Sequence, residues 1–351
     1  MTDLAGQISE RLKRAPIPAS EFMDLALYHP VDGYYRKPSG PWGFAGKDYY
    51  TALDVGPLLG ECLCLRLEAS WRRLDRPTVF TVLEPGAGRG WLGRDLLEAS
   101  RGEFAEALRY LHQDDNPAAR SAAEAALATH IRQGRAGFAG ETETLAPFIG
   151  AVISNELFDA LPAQPWRWDG IRWVREVLTE TGPEWQVGEP GEAALWFESQ
   201  ARELEPGDGS IWCDALPAMV ASLAGAMDRG LFLTVDYGDS AELLLGKGAD
   251  LRRFVNHQVD GRWWEAPGQA DLTADVDFTR LQALLEAAGL TELSQRTLSR
   301  WVREQAPLAR WEQDWQTLSP RDRVKRTENL LQLTMPGMLG ERFRVLEGWK
   351  G

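Results

Sequence analysis

Apolar positions along the chain follow two rhythms. One is the short continuous run: Val79-Phe80-Thr81-Val82-Leu83, Ala151-Val152-Ile153-Ser154-Asn155 and Gly230-Leu231-Phe232-Leu233-Thr234-Val235-Asp236 read as strands covered on both faces in a parallel sheet. Leu108 to His112 predicts a second strand, and Ile131 to Phe138 a weaker third. The other rhythm has a helical period. It gives a helix opened by Val55 to Glu61 and ending near Trp71, then Trp91 to Ser100, Ala118 to His130, Pro217 to Arg229, and Thr279 to Ala288 with Gly289 placed to stop it. Strands alternating with helices predict an α/β fold built on a parallel sheet.

Three stretches depart from that alternation. From Pro165 to Trp212 the period becomes two, with Trp166-Arg167-Trp168 and Ile171 to Val177 flanking Asp169-Gly170, the signature of a β-hairpin. An antiparallel insertion at about 163–213 is expected, its tryptophans serving as core. The N-terminal residues predict short helices at Ile8 to Arg14 and Ser20 to Ala26, separated by Pro16 and Pro18, with Ser20 and Glu21 as cap and first-turn acid. Leu308 to Leu333 predicts further helices. The chain thus divides into an N-terminal helical segment (1–75), an α/β domain (76–300) and a C-terminal helical extension (301–351).

Candidate chemistry concentrates where the first strand stops. Glu84-Pro85 ends it, and Gly86, Gly88 and Gly90 follow on alternate positions, where a missing Cβ lets the backbone bend sharply and approach a ligand. A helix then starts at Trp91, its N-terminus aimed back at the turn. Gly88 to Gly93 spells G-x-G-x-x-G, but four residues separate the strand from that motif, a register wrong for a dinucleotide site. Asp114, with Asp115 as the fallback, lies at the end of the second strand, where a carboxylate can accept hydrogen bonds from ribose hydroxyls. After the fourth strand come Asn155, Glu156 and Asp159. On a helical turn the two acids would share one side and could fork onto a guanidinium, or one of them could cap the next helix. His257 is a candidate proton acceptor, with a purely structural histidine as the competing reading.

Composition narrows the classes. A net charge of −14 opposes binding to nucleic acid and favours a cationic partner. Three cysteines make neither a disulfide framework nor a metal motif, so no metal is expected. No apolar run is long enough to span a membrane, and the first residues resemble neither a signal nor a transit peptide, which leads to the expectation of a cytoplasmic protein.

The ordered segments FMDLALYHPVDGYY, GKDYYTALDVGPLLGE, LEPGAGRG, SNELFDALPAQPW, LTVDYG and DLTADVDFTRL resemble the MidA-like family of class I S-adenosyl-L-methionine (SAM) methyltransferases, over Pro18 to about Leu290. The resemblance implies a Rossmann-like sheet, SAM as cofactor, and methylation of an arginine in a protein partner such as a respiratory complex I subunit. It implies cofactor contacts from Tyr50, Thr51, Glu61, Glu84, Gly86, Ala87, Gly88, Asp114 and Asp115, and an acceptor site at Asn155, Glu156 and Asp159. Asp275 stands where the family usually has His, and Asp114 to Pro117 replaces its usual E-x-S-P run. A SAM-binding assembly protein with little turnover, and a methyltransferase acting on a small molecule, remain as alternatives.

Overall fold

Phe80–Pro85 (β1) is buried at five of its six positions, as a strand must be when helices cover both faces of its sheet. In the computed structural model, which describes residues 3–37, 56–140, 145–200, 203–255 and 258–351, six further strands line up with it along one path, and the short strand Val276–Asp277 pairs with Gly238 and Asp239 off that path. The six are Leu108–Gln113 (β2), Ala136–Ala139 (β3), Phe148–Asn155 (β4), Met227–Asp239 (β5), Thr291–Thr297 (β6) and Phe343–Lys350 (β7). Their order across the sheet is β6-β7-β5-β4-β1-β2-β3. The β1–β2, β2–β3, β1–β4 and β4–β5 pairs are parallel, and β6 pairs with β7 antiparallel. This is the Rossmann-like class I sheet with its antiparallel edge. Chain order reverses between β1 and β4, and in such sheets the crevice beyond the strand ends at that switch point is where ligands bind.

Two compact units divide the chain. This sheet belongs to the unit made of Tyr50–Leu157, Val220–Asp236 and Leu284–Gly351. Its helix Leu58–Arg73 buries Leu59, Cys62, Leu63, Leu67 and Trp71 along one stripe. Helix Trp91–Ala99 packs close to β2, and Gly93 is the reason: a Cβ there would lie 2.1 Å from the ring of Tyr110.

The other unit comprises Met1–Tyr49, Phe158–Met219 and Tyr237–Ala283. The expected hairpin forms between Gln164–Trp168 and Trp173–Thr179, with the Asp169 carboxylate accepting the N–H groups of Ile171 and Arg172. Trp166, Trp173, Trp212 and Phe197 pack together as a buried cluster, so these tryptophans are core. A second cluster joins helix Ala19–Tyr28 to Ile17, Leu178, Leu251 and Trp263.

The structure differs from the sequence expectations at four places. Ser20 is not a cap: Pro18 precedes the helix, and the Ser20 hydroxyl donates to Gln164 Oε1. The single helix expected over Ala118 to His130 is two, Pro117–Ala126 and Ala128–Arg132, separated at Leu127, and Asn116 caps the first. The C-terminal extension is not wholly helical, because Phe343–Lys350 enters the sheet. The residues following β4 form no helical turn, since Glu156 has a left-handed φ of 52°.

Candidate functional site

The turn after β1 is clasped by the end of β2. Gly86 and Gly88 both take positive φ, 65° and 50°, a region where a side chain would be strained. The N–H of Gly88 donates to Asp114 Oδ2 at 2.9 Å, while its carbonyl accepts from His112 Nε2 at 2.8 Å. Asp114 Oδ1 accepts from the N–H of Asn116 at 2.8 Å. The N–H of Ala87 reaches the carbonyl of Gln113 at 3.2 Å. Three successive residues of β2 and its exit thus fix the shape of the glycine turn. Among the described residues, none has an atom within 4 Å of where a Cβ on Gly88 would stand.

Beneath the turn lies a buried acid. Glu84, 2% exposed, accepts a 2.7 Å hydrogen bond from the Tyr110 hydroxyl. Burial pushes its carboxyl up to about 8, with the Tyr110 bond opposing and the nearby Asp114 and Asp95 carboxylates adding to the rise. Burial likewise raises Asp114 and lowers His112, which keeps the imidazole neutral and able to donate from Nε2 while its other nitrogen stays unprotonated.

Beyond β4 the chain bends differently. Glu156 adopts the left-handed region although it is not glycine. Its N–H donates to the carbonyl of Val235 at 2.9 Å, and the next N–H, of Leu157, donates to Asp236 Oδ2 at 3.2 Å. Asn155 Nδ2 donates to Glu156 Oε1 at 2.9 Å, which leaves Asn155 Oδ1 buried with no hydrogen-bond partner among the described residues. The two bends adjoin at the switch point: a Cβ on Gly86 would lie 2.9 Å from Leu157 Cδ1.

Glu84, Gly86, Ala87, Gly88 and Asp114 are therefore gathered at one sheet edge together with Asn155 and Glu156. Asp115 is exposed beside Asp114. Glu61 lies in the first turn of helix Leu58–Arg73. It pairs with Arg326 and lines a cavity of about 310 Å³ with Asp95, Glu98, Trp311 and Asp314. Asp159 belongs to the other unit, where burial pushes its carboxyl up to about 7 against the pull of Arg252, which itself pairs with Asp275 at 2.9 Å. The Asp at position 275 thus has an ionic partner that the family's usual His would meet differently. Tyr50, Thr51 and His257 lie outside the described residues.

Sequence reasoning assigned no role to Tyr110 or His112, and of Asp236 it expected only that the acid-aromatic-glycine exit Asp236-Tyr237-Gly238 lies on the functional edge. The first two could have been found, because period-two alternation in Leu108–Gln113 puts both on one face of the strand that follows the glycine turn. Asp236 ended a strand run like the one that delivers Asn155, and nothing local distinguished it.

This geometry suits an adenosyl-methionine. No described residue crowds the backbone at Gly88, an acid with two oxygens at the turn's rim ends the neighbouring strand, and a buried acid underlies the bend. The sequence model of a family described as "Putative S-adenosyl-L-methionine-dependent methyltransferase" matches residues 62–295. The mitochondrial protein arginine methyltransferase NDUFAF7 homologue of Drosophila melanogaster is 27% identical over 99% of this chain and 85% of its own length. The human mitochondrial protein arginine methyltransferase NDUFAF7 is 26% identical over 80% of this chain and 69% of its own. A crystal structure from Burkholderia thailandensis bound to S-adenosyl-homocysteine superposes with a TM-score of 0.86 at 23% identity, covering 99% of this chain and 92% of that one. The expectation of a cytoplasmic protein is overturned, since these curated relatives are named as mitochondrial. Among the described residues no helix is long and apolar enough to cross a membrane.

Proposed function

Because the chain belongs to this family of SAM-dependent methyltransferases, we propose that it methylates an arginine side chain of a protein partner. The observation that carries the arginine assignment is the likeness over nearly the whole chain to relatives named protein arginine methyltransferases. When bound, SAM supplies a methyl group held on a sulfonium. In this reading the residues at the switch point divide the work. Asp114 accepts the ribose hydroxyls with the lone pairs its two backbone hydrogen bonds leave over, and Glu84 sits under the methionine end. Asn155 and Glu156 hold the guanidinium, and a carboxylate beside it localises positive charge and frees one nitrogen as a nucleophile. Transfer breaks the carbon–sulfur bond, forms a carbon–nitrogen bond, and releases a proton from that nitrogen. Alignment of the two bends, in contact through Gly86 and Leu157, supplies most of the acceleration. Asp159, Asp115, Glu61, Tyr50 and Thr51 retain only the roles that the family resemblance implies, and His257 only its reading as a candidate proton acceptor.

The test is incubation with radiolabelled SAM and a cell lysate, with the labelled proteins identified by mass spectrometry. A respiratory complex I subunit is the first partner to assay. Methylated arginine in a defined protein is expected. Label confined to small molecules or to other side chains would overturn the arginine assignment.

A further inference from the structure

The left-handed bend after β4 has no local cause. Glutamate has no preference for positive φ, and isolated non-glycine residues persist there only when their surroundings fix them. Two contacts from β5 do so. The carbonyl of Val235 accepts the N–H of Glu156, and Asp236 Oδ2 accepts the N–H of Leu157. Asp236 is fully buried, at 0% exposure, which is costly for a carboxylate whose only task is to end a strand. A second observation concerns Asn155, which is 9% exposed. Its amide orientation follows from chemistry, since only Nδ2 can donate to Glu156 Oε1. Oδ1 is then a buried acceptor without a donor among the described residues. Such an atom costs free energy until a donor arrives, and a site holding one discriminates against ligands that bring none.

We propose that Asp236 is the positioning residue of the acceptor subsite: by holding the Leu157 N–H it locks the bend at Glu156 and presents Asn155 Oδ1 to an N–H of the methyl-accepting group. The acceptor class selected is a nitrogen that still carries a proton, such as a guanidinium. The Asn155 part of the assignment rests on the arginine reading given above. The lock does not, because it is a property of the backbone.

The experiment therefore has a readout that needs no substrate. In Asp236→Ala, amide hydrogen exchange over residues 155–158 should accelerate at least tenfold while β1 and β4 keep their protection. In Asp236→Asn, whose side-chain oxygen can still accept from Leu157, exchange should stay close to wild type. SAM affinity by calorimetry should change less than threefold in Asp236→Ala, whereas methyl transfer into lysate protein should fall at least tenfold and be restored in part by Asn. Asn155→Ala should lower transfer at least tenfold at unchanged SAM affinity. Unchanged exchange in Asp236→Ala overturns the lock, and a loss of SAM affinity equal to the loss of transfer moves Asp236 to the cofactor. Should Asp236→Ala not fold, adding Glu156→Gly, which takes the left-handed bend unaided, restores folding if the assignment is right; continued unfolding overturns it. If wild type labels no arginine, the arginine reading fails while the exchange result still decides the lock.

Discussion

Two bends leave adjacent parallel strands of the same sheet, and they are made in opposite ways. After β1 the chain turns on glycines and is held from outside, by the side chains of His112 and Asp114 on its neighbour. After β4 it turns on a glutamate, held by the backbone and side chain of β5 at Val235 and Asp236. Glycine takes positive φ at no steric cost and leaves space where a side chain would stand, which suits a bend that a ligand must approach. A non-glycine residue in the same region costs of order 1–3 kcal/mol but keeps its side chain. The difference separates the tasks: one bend offers room, the other offers a carboxylate.

Filling the room should have the largest effect. Gly88→Val places atoms where no described residue lies within 4 Å, so the fold should survive with a lowered melting temperature, while SAM affinity measured by calorimetry drops on the order of 100-fold or more. Retained affinity would remove the glycine bend from the cofactor site. The complementary change, Glu156→Gln, should leave SAM affinity within about twofold and lower methyl transfer at least ~100-fold, since the charge beside the acceptor is gone. Full activity would mean that the second bend offers shape alone.

Gly93→Ala probes the packing under the first bend. Its Cβ would lie 2.1 Å from the Tyr110 ring, and displacing that ring would also disturb the hydrogen bond to Glu84. A loss of about 2–3 kcal/mol in chemical denaturation is expected.

The acid below the bend gives a pH signature. Glu84 titrates near 8 in the folded chain against an ordinary 4.5, so between those values the folded chain retains a proton that the unfolded chain releases. Its contribution to stability is complete below about 4.5 and is lost as pH rises toward 8. Asp95, raised to about 6, and Asp159, raised to about 7, act in the same direction, so the ligand-free protein should be most stable on the acid side of neutrality. Glu84→Gln should flatten part of that slope and stabilise the ligand-free protein on the order of 2 kcal/mol at pH 7.5, while weakening SAM binding. A melting temperature that climbs from pH 5 to pH 8 would contradict the burial of these acids. The smallest change in stability belongs to Glu156→Gly, which relieves the left-handed strain and should raise stability by about 0.5–1 kcal/mol, with a loss of transfer like that of Glu156→Gln.

The first bend was legible in the sequence and the second was not, for a physical reason. Three glycines after an apolar run state their conformation locally. The backbone of Glu156 is imposed from β5, some eighty residues away in sequence, so the expectation of a helical turn carrying Glu156 and Asp159 on one side had no local signal against it. The hairpin at Asp169-Gly170 was readable because its turn chemistry and its alternation agree. The pairing of β6 with β7 was missed: Thr291–Thr297 has Leu293 as its one apolar residue, and in Phe343–Lys350 the adjacent pairs Val345-Leu346 and Glu347-Gly348 break the period of two. The break at Leu127 was hidden because alanine-rich sequence favours helix throughout.

The strand order carries a consequence for how the protein is made. Phe343–Lys350 follows every other strand in sequence yet lies inside the sheet, between Thr291–Thr297 and Met227–Asp239. While the chain is being synthesised, the flank of Met227–Asp239 that this strand will cover stays bare until nearly everything else has emerged. That flank is an apolar edge able to recruit a foreign strand, so the nascent protein passes through a window in which it is open to misassociation.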